Sequence, residues 1–367
     1  MSEPVRYGIV GTGMMGREHI ANLRHIDDAR IVSIADPNEH SRRHAVAEGG
    51  LDGVAEFADH RDLVAAGGID AVLVASPNDT HIDVLLDVLD AGINVLVEKP
   101  LCTTVDDCRR VMEAAERSPG VTWVGLEYRY MPPVARMIEE VRKGTVGDVK
   151  MVGIREHRYP FLPKVDNWNR FNRRSGGTLV EKCCHFFDLM NLIVGAEPVR
   201  VFASGGQAVN HLDEVYDGER SDILDHAYVV VDYAGGTRAF LDLCMFAETS
   251  KFQEEIAVVG PLGKVEALVP SPLDIEGLGA GTVRIGVRTT MKVEEFVVHD
   301  DPRVEYTGDH HGSSYLEHLA FIEAVRTGSA PEVSLRDGLL SVAVGIAGQR
   351  SIEQGRPVEM AEILGSS

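Results

Sequence analysis

The chain has 367 residues, of which 44% are hydrophobic and 25% are charged. One core rarely organises more than about 250–300 residues, so this length predicts two domains, and the composition excludes a disordered chain, a collagen and a disulfide scaffold. The 36 Lys and Arg residues against 57 Asp and Glu residues give a net charge of −21, which argues against nucleic acid or an anionic membrane as a partner.

The cysteines and the N-terminus indicate a cytoplasmic protein. The five cysteines are an odd number and show no CxxC spacing, which fits a reducing compartment. The first residues enter a strand pattern directly and lack the basic and apolar regions of a secretory signal. Since no apolar run approaches the ~18 residues of a membrane span, we expect no contact with a membrane.

The first third of the chain alternates strand-like and helix-like segments. Near-continuous apolar strands separated by helices are typical of a parallel sheet that helices cover on both faces. Short connections between these elements favour a doubly wound α/β sheet. The predicted strands are 5–10, 30–35, 70–76, 94–97 and 121–125, and the predicted helices are 14–25, 39–48, 80–91 and 105–116.

After residue 127 the pattern changes to that of an α+β domain. Strands that follow one another closely, one pair turning at Gly235-Gly236, predict a large, open, mostly antiparallel sheet. We therefore place the two domains at residues 1–127 and 128–367, with the last helix able to pack back on the first domain. The predicted helices are 132–143, 176–195, 315–327 and 335–354, and the predicted strands are 149–155, 199–203, 227–233, 237–246, 255–259, 265–268, 283–288 and 294–298.

A glycine-rich loop follows the first strand and opens the first helix. It reads GTGMMG over residues 11–16, which is the GxGxxG pattern in the context that supports dinucleotide binding. Gly11 permits the tight turn, Gly13 lets a pyrophosphate approach the backbone, and Gly16 lets the helix pack on the strand. The helix N-terminus attracts phosphate, so we predict that Met14 and Met15 also contact the cofactor. The alternative is a tight strand-to-helix turn without a ligand.

Asp36 ends the second predicted strand, about 20 residues after Gly16. A carboxylate at this position binds the adenosine ribose hydroxyls, and it repels the 2′-phosphate of NADP. The sequence therefore favours NAD over NADP. Arg42 and Arg43 lie near enough to offset this preference, although a solvated helix face is their simpler interpretation.

Two further motifs stand at strand ends. SPNDTH occupies residues 76–81 after one predicted strand, and Glu-Lys-Pro occupies residues 98–100 after the next. Open α/β sheets bind ligands at the carboxyl ends of their strands. A lysine there is usually only exposed, but beside a nicotinamide it can polarise a carbonyl or share a proton. The predicted cofactor contacts are Ser76, Pro77, Asn78, His81, Glu98 and Lys99.

A Gly-Gly pair at residues 176–177 precedes a predicted helix with three ionisable residues. Glu181, His185 and Asp188 are spaced i, i+4 and i+7, which places them on one face of a continuous helix. Ionisable groups on an otherwise apolar helix are costly to bury unless they pair or take part in chemistry. We therefore treat them as candidate active-site residues.

In this order and spacing, the motifs resemble those of the glucose–fructose oxidoreductase / inositol dehydrogenase / rhizopine-catabolism (Gfo/Idh/MocA) family. The quoted motifs are GTGMMG, SPNDTH, EKP and GG-x₃-E-x₃-H-x₂-D, and the segment 334–358 resembles the closing helix of that family. The resemblance spans nearly the whole chain. It implies an NAD(P)-dependent dehydrogenase of sugars, polyols or cyclitols, with a Rossmann domain followed by a substrate-binding domain.

The resemblance also assigns roles to particular residues. The lysine of the family corresponds to Lys99 and its histidine to His185, while its usual aspartate is replaced by Glu181. One extra methylene moves the carboxylate by about a bond length, which changes the geometry offered to a substrate hydroxyl. The family further implies a cis peptide bond before Pro100.

The chemistry that the resemblance implies is hydride transfer between the nicotinamide and a secondary alcohol carbon. We expect His185 to act as the base, Lys99 to donate to the reacting oxygen, and Glu181 to bind a neighbouring hydroxyl. The alternative is that Lys99, with a lowered pKa, accepts the proton.

Other residues are candidate substrate contacts. Tyr128 and Arg129 follow the last strand of the first domain, and Trp168 and Asn169 precede the Gly-Gly pair. The tryptophan ring can stack on a sugar. The alternatives are a structural salt bridge and core packing, and Asp188 is expected to cap a helix or to pair with His185.

No metal site is expected. The adjacent residues Cys183, Cys184 and His185 point about 100° apart on a helix and do not converge on one ion. His310, His311 and His318 form no recognisable ligand set, although one of them can face the active cleft.

The resemblance implies a homodimer or homotetramer formed through the outer face of the second sheet. Ala239, Leu241 and Leu243 alternate along one strand, and they either supply this contact or face the core. Two other functions stay open. One is an enzyme that recycles tightly bound NAD, such as an epimerase or a glycoside-cleaving enzyme, and the other is an NAD-binding sensor without activity.

Overall fold

The first part of the chain forms a six-stranded sheet, in a computed structural model that describes residues 3–273 and 281–365. All its strands are parallel and run in the order β3-β2-β1-β4-β5-β6, which is the predicted Rossmann arrangement. The short elements β3 and α3 are absent from the sequence prediction. The elements are β1 (Val5–Val10), α1 (Met14–Leu23), β2 (Ala29–Ala35), α2 (Glu39–Gly49), β3 (Ala55–Phe57), α3 (His60–Ala66), β4 (Ala71–Val74), α4 (His81–Asp90), β5 (Asn94–Glu98), α5 (Val105–Ala115) and β6 (Thr122–Gly125).

The remainder of the chain forms a mixed sheet of nine strands. Its order is β16-β15-β14-β13-β7-β12-β11-β8-β17, and every pair is antiparallel except β7 with β12. This confirms the large, mostly antiparallel sheet. The elements are α6 (Pro132–Arg142), β7 (Met151–His157), α7 (Asn172–Ser175), α8 (Thr178–Glu181), α9 (Cys184–Val194), β8 (Pro198–Gly206), β9 (Val215–Tyr216), β10 (Glu219–Arg220), β11 (His226–Tyr233), β12 (Arg238–Cys244), β13 (Phe252–Val259), β14 (Gly263–Pro270), β15 (Gly281–Val287), β16 (Lys292–Val298), α10 (Ser313–Thr327), α11 (Leu335–Gln354), β17 (Val358–Glu359) and α12 (Met360–Leu364).

The burial of the first sheet explains why its strands are apolar throughout. Every residue of β4 is fully buried, as are Val95, Leu96 and Val97 of β5. Strands covered on both faces need apolar side chains at successive positions, whereas a half-exposed strand alternates. The ends of these strands are consequently fixed, and the turns that follow them project to one edge of the sheet.

The two faces of the second sheet differ. Ala239, Leu241 and Leu243 are buried and belong to the core, so their predicted role in oligomerisation is replaced by the core-facing alternative. The opposite face carries Phe202, Val230 and Phe240, which are neighbours across three strands and are 45%, 40% and 44% exposed. Period-two alternation along β12 separates these two sets.

The end of the chain returns to the first sheet. In α10, the Tyr315 hydroxyl donates to the His25 carbonyl at 3.0 Å, and Arg326 pairs with Asp28 at 2.7 Å. The backbone N–H of Val124 in β6 donates to the Val333 carbonyl at 3.3 Å, just before α11. Among the helices that the structure describes, none combines the length and apolar character needed to cross a bilayer. The domain boundary between residues 127 and 128 stays a prediction.

If the exposed row on the second sheet joins copies of this chain, Phe240→Glu should shift the protein to the mass of a single chain. A carboxylate placed in an apolar contact loses its hydration without a partner. Light scattering coupled to size-exclusion chromatography measures the mass. Val209→Glu is the control, because Val209 is 55% exposed and lies in a loop. An equal mass for wild type and Phe240→Glu would contradict this interface.

Candidate functional site

A cleft runs along the carboxyl edge of the first sheet and reaches the segment that follows β7. The glycine-rich loop, the end of β2 and both predicted strand-end motifs contribute to its walls. Most predicted cofactor contacts therefore lie together. Its lining includes Gly11, Gly13, Met14, Met15, Asp36, Ser76, Pro77, Asn78, Glu98, Lys99, Lys164 and Trp168.

The three glycines of the loop have the different roles that the motif predicts. Gly11 has a φ of +91°, and a Cβ there would lie 2.5 Å from the backbone of Ala75. A Cβ on Gly16 would lie 2.0 Å from the Gly11 carbonyl oxygen, whereas a Cβ on Gly13 would meet no protein atom within 4 Å. Gly11 and Gly16 are thus required by packing, and Gly13 leaves the backbone open to the cleft. This cradle fits a dinucleotide pyrophosphate.

The Asp36 carboxylate is fixed at the end of β2. One oxygen accepts hydrogen bonds from the backbone N–H of Thr12 at 2.8 Å and from its hydroxyl at 3.2 Å. The other accepts from the Asn38 backbone N–H at 2.8 Å. The oxygen that accepts from Asn38 has a second lone pair, so Asp36 can still accept a hydrogen bond from a ribose hydroxyl.

Both arginines of α2 contact other groups of the protein. Arg42 donates to the backbone carbonyl of Asp36 and lies 3.8 Å from Glu56. Arg43 is exposed and pairs with Glu39 one turn earlier in the helix. These contacts agree with the solvated-helix interpretation.

The two strand-end motifs are tied together by a buried histidine. The Lys99–Pro100 peptide bond is cis, as the resemblance implied. The ring of His81 lies between the Pro100 carbonyl, at 2.9 Å, and the Ser76 carbonyl, at 3.0 Å. His81 is fully buried and is not part of the cleft wall, so its predicted contact with the cofactor is replaced by a role in joining the two turns.

Glu98 also has a partner inside the protein. Its carboxylate lies 2.6 Å from His19 Nε2, and His19 Nδ1 lies 2.9 Å from His318 Nε2. These histidines come from α1 and α10. The chain of contacts connects the turn before Lys99 to both helices and holds that turn in place.

The predicted helix over 176–195 is interrupted by a short turn. Helix α8 ends at Glu181 and α9 starts at Cys184, with Lys182 and Cys183 in a turn between them. The Glu181 carbonyl instead accepts a hydrogen bond from Lys99 Nζ at 3.1 Å. Irregular turns inside helices are frequent at functional sites, because they free backbone groups for other contacts.

The Glu181 carboxylate is buried among positive charges. Lys164 Nζ lies 3.1 Å and Lys99 Nζ 3.8 Å from Oε1, while Asn78 Nδ2 donates to Oε2. Burial alone would raise the pKa of Glu181, but the charges of Lys164 and Lys99 and the bond from Asn78 lower it to about 2. Glu181 is therefore an ionised acceptor at neutral pH. Because of the same pairing, the pKa of Lys99 is raised by Glu181 against the lowering effect of its burial.

His185 is held by stacking. Its ring lies 3.9 Å from the Tyr128 ring, centre to centre, with an angle of 9° between the planes. Nδ1 is buried and has no hydrogen-bond partner among the described residues. Burial and then the charge of Lys99 hold the pKa of His185 well below its usual 6.5. His185 is therefore neutral at pH 7 and able to accept a proton.

Tyr128 stacks on His185, and a buried lysine in turn holds the Tyr128 hydroxyl. Lys182 Nζ donates to the Tyr128 hydroxyl and lies 3.0 Å from Glu156. Glu254 is buried beside this pair, and its burial followed by the charge of Glu156 raises its pKa to about 7. Lys182, Glu156 and Glu254 escaped the sequence analysis. The signal was available in β7, where Glu156 continues the inward alternation of Val152 and Ile154.

Arg129 and Asn169 follow the structural alternative. The Arg129 guanidinium binds Asp188 with two nitrogens, lies 3.3 Å from Asp337 and donates to the Glu332 carbonyl at 3.1 Å. Asp188 consequently pairs with Arg129 and not with His185. The side-chain amide of Asn169 donates to a backbone carbonyl at 3.0 Å and is fully buried.

Trp168 lines the cleft, but one face of its ring is covered. Lys164 Nζ lies 4.5 Å above the ring centre. The predicted stacking of a sugar on this ring is therefore limited to its other face.

Among the three histidines singled out near α10, His310 lies closest to the site residues. It is 2.8 Å from Glu18 and 3.7 Å from Glu127, and its ring centre is 6.2 Å from that of Tyr128. Burial would lower the pKa of His310, but Glu127 and Glu18 raise it to about 9. Within residues 3–273 and 281–365, no three His, Cys, Asp or Glu side chains are grouped as metal ligands.

Comparison with known families agrees with the geometry. Residues 5–126 match the oxidoreductase family, NAD-binding Rossmann fold, and residues 138–360 match the oxidoreductase family, C-terminal alpha/beta domain. The chain therefore belongs to the Gfo/Idh/MocA oxidoreductase family.

Relatives of similar length match along the whole chain. The myo-inositol 2-dehydrogenase of Thermotoga maritima is 28% identical over 362 residues, covering 98% of this chain and 100% of that protein. The inositol 2-dehydrogenase of Rhizobium meliloti is 29% identical over 359 residues, covering 97% and 99%. The crystal structure of a probable dehydrogenase from Thermotoga maritima has a TM-score of 0.77 at 26% identity, and the match covers 98% of this chain and 100% of that chain.

The different surroundings of Gly13 and Gly16 predict that alanine at the first position affects NAD binding and alanine at the second affects stability. Gly13→Ala should leave the free energy of unfolding unchanged and raise the NAD dissociation constant at least about tenfold, or about 1.4 kcal/mol, since its methyl group enters the cleft. Gly16→Ala should lower the free energy of unfolding by about 1–3 kcal/mol through its contact with Gly11. Urea unfolding and calorimetric NAD titration measure the two quantities. Normal NAD binding by Gly13→Ala would contradict the assignment of the cradle.

Proposed function

We propose that this enzyme oxidises a secondary alcohol of a cyclitol, sugar or sugar derivative with NAD. The observation that carries the proposal is that Lys99 lines the dinucleotide cleft, contacts buried Glu181 at 3.8 Å and lies near enough to buried His185 to lower its pKa. The three residues have three different charge states. Lys99 is an ammonium, Glu181 a carboxylate and His185 a neutral imidazole. Together they offer a donor, an acceptor and a base to a hydroxylated substrate.

The hydroxyl proton passes to His185. A general base must be unprotonated and within hydrogen-bond reach, and the lowered pKa of His185 meets the first condition at neutral pH. Lys99 keeps its proton, because Glu181 raises its pKa, so it donates a hydrogen bond to the reacting oxygen. This favours His185 over Lys99 as the base. A bound nicotinamide would supply the hydride acceptor.

The charged groups favour a substrate with several hydroxyls. Glu181 can accept a hydrogen bond from one hydroxyl while Lys99 donates to the oxygen of another. The relatives named as inositol 2-dehydrogenases support a cyclitol as the substrate class. The cofactor assignment rests on Asp36, whose carboxylate faces the cleft and repels a 2′-phosphate, and on the internal contacts of Arg42.

We also propose a cytoplasmic homo-oligomer. All five cysteines are unpaired, which suits a reducing compartment. The exposed apolar row of Phe202, Val230 and Phe240 supplies the contact surface.

The proposal is tested by following absorbance at 340 nm with inositols, aldoses, 1,5-anhydro sugars and glycosides, each with NAD⁺ and with NADP⁺. We expect turnover of at least one cyclitol or sugar with NAD⁺ and a lower kcat/KM with NADP⁺. If no substrate changes the absorbance but the denatured protein releases NAD, the recycled-cofactor alternative would be favoured. If no substrate reacts and no NAD is released, a sensor would be favoured. A higher kcat/KM with NADP⁺ than with NAD⁺ would contradict the role of Asp36.

The state of His185 predicts the pH dependence of oxidation. Since the neutral imidazole is the active form and its pKa lies below 6.5, kcat/KM should be constant above that pH and fall only at lower pH. His185→Gln should lower kcat by about 10²–10⁴. His44→Gln, on the exposed side of α2, is the matched control. Full activity of His185→Gln with an unchanged profile would show that another group takes the proton.

A further inference from the structure

The segment between β7 and α7 carries a lysine to which the proposed chemistry assigns no role. Lys164 precedes Asp166 and Asn167, whose φ values are +53° and +50°. Two successive non-glycine residues in the left-handed region are unfavourable, although Asp and Asn tolerate it best. Such a backbone persists only where the surrounding structure holds it, and it occurs preferentially at functional sites.

Two buried polar side chains hold this turn. Arg170 is almost fully buried, pairs with Glu214 at 2.7 Å and donates to the Phe161 carbonyl at 3.1 Å. Asn169 donates to the Leu162 carbonyl at 3.0 Å. Both bonds connect the end of the segment to its beginning. The loop is therefore a fixed structure that presents Lys164 to the cleft.

Lys164 reaches the carboxylate that the proposed mechanism uses. Its Nζ lies 3.1 Å from Glu181 Oε1, closer than the 3.8 Å of Lys99. The ring of Trp168 lies against the same ammonium at 4.5 Å. A carboxylate on one side and an aromatic face on the other define the position of this charge.

A glutamate needs such a partner more than an aspartate does. Glu181 has one more rotatable bond than the aspartate usual in the family, so its carboxylate has more orientations to lose on ordering. Lys164 binds one oxygen and Asn78 the other, which leaves a single arrangement. Supporting groups of this kind decide whether a binding group stays within the tolerance of the reaction.

We propose that Lys164 is a positioning residue that holds Glu181 ionised and in one orientation, so that the site selects substrates with adjacent hydroxyl groups. One hydroxyl loses its proton to His185, and its neighbour donates a hydrogen bond to Glu181. A lone secondary alcohol makes only the first of these contacts and is a poor substrate. This inference rests on the proposed function and deepens it from hydroxylated compounds to vicinal diols.

Lys164→Met should lower kcat/KM about 100-fold for the polyol that wild type oxidises fastest. The pH profile should also gain a decline at acid pH from protonation of Glu181, in addition to the one from His185, because Glu181 loses its nearest cation. Lys164→Arg should recover most of the rate. Lys150→Met is the control, since Lys150 is an exposed lysine that pairs with Asp148 just before β7, at the opposite end of that strand from the segment that carries Lys164. An unchanged kcat/KM and pH profile in Lys164→Met would overturn the inference.

A double-mutant cycle separates positioning from direct binding. If Lys164 acts through Glu181, Lys164→Met should lower kcat/KM much less in the Glu181→Gln background than in wild type. We expect the two fold-losses to differ by at least about tenfold. If the loss of kcat/KM in the double variant equals the product of the two single losses, Lys164 acts on the substrate independently of Glu181. That result would contradict the proposal.

An infrared measurement tests the contact without any substrate. The difference spectrum between wild type and Glu181→Gln reports the charge of that carboxyl group. At the lowest pH at which both proteins stay folded, we expect a carboxylate in wild type and a protonated fraction in Lys164→Met. If no polyol is oxidised, the proposed function fails, while this spectrum still decides whether Lys164 holds Glu181 ionised. Identical spectra would contradict the inference.

Discussion

The site depends on one buried negative charge, the carboxylate of Glu181. A buried charge is tolerated only when partners compensate it, and removing one partner from such a pair costs about 3–5 kcal/mol. Here the partners are Asn78, Lys99 and Lys164, which come from three different segments of the chain. The two strand-end turns, the loop after β7 and the end of α8 are therefore brought to one point by the same requirement.

This arrangement also separates the charge states of the groups around it. Glu181 stabilises the ammonium of Lys99, whereas burial and then the charge of Lys99 lower the pKa of His185. Two basic side chains thus differ in protonation at neutral pH, which is how one site can hold a donor and a base together. The stacked ring of Tyr128 orients His185 without taking a hydrogen bond from it. Among the described residues, Nδ1 of this imidazole has no hydrogen-bond partner.

Much of the fold was predictable from the sequence, because burial leaves clear periodicities. Both sheets, the glycine-rich loop and α11 agree with the predictions, and so does the cis bond before Pro100 that the resemblance implied. The continuous helix over 176–195 was wrong, since α8 ends at Glu181 and α9 starts at Cys184. At this turn the Glu181 carbonyl accepts a hydrogen bond from Lys99 of a distant segment, and local sequence does not report such a contact.

The contacts made by neighbouring residues could not be predicted from the local sequence pattern either. Tyr128 supports His185 while Arg129, next to it, binds Asp188 in the interior. Lys164 belongs to no motif, and its contact with Glu181 arises from a turn held by buried side chains. In both cases the partner, and not the residue type, decides the role.

The account is tested most directly by following the hydrogen that leaves the substrate carbon. Wild type would be incubated with NAD⁺ and a polyol deuterated at the reacting carbon, and the released cofactor would be analysed by mass spectrometry. The account predicts that free reduced cofactor carries one deuterium for each ketone formed. Deuterium that returns to the polyol or its epimer, with none in free cofactor, would contradict it and assign the site to a recycled cofactor.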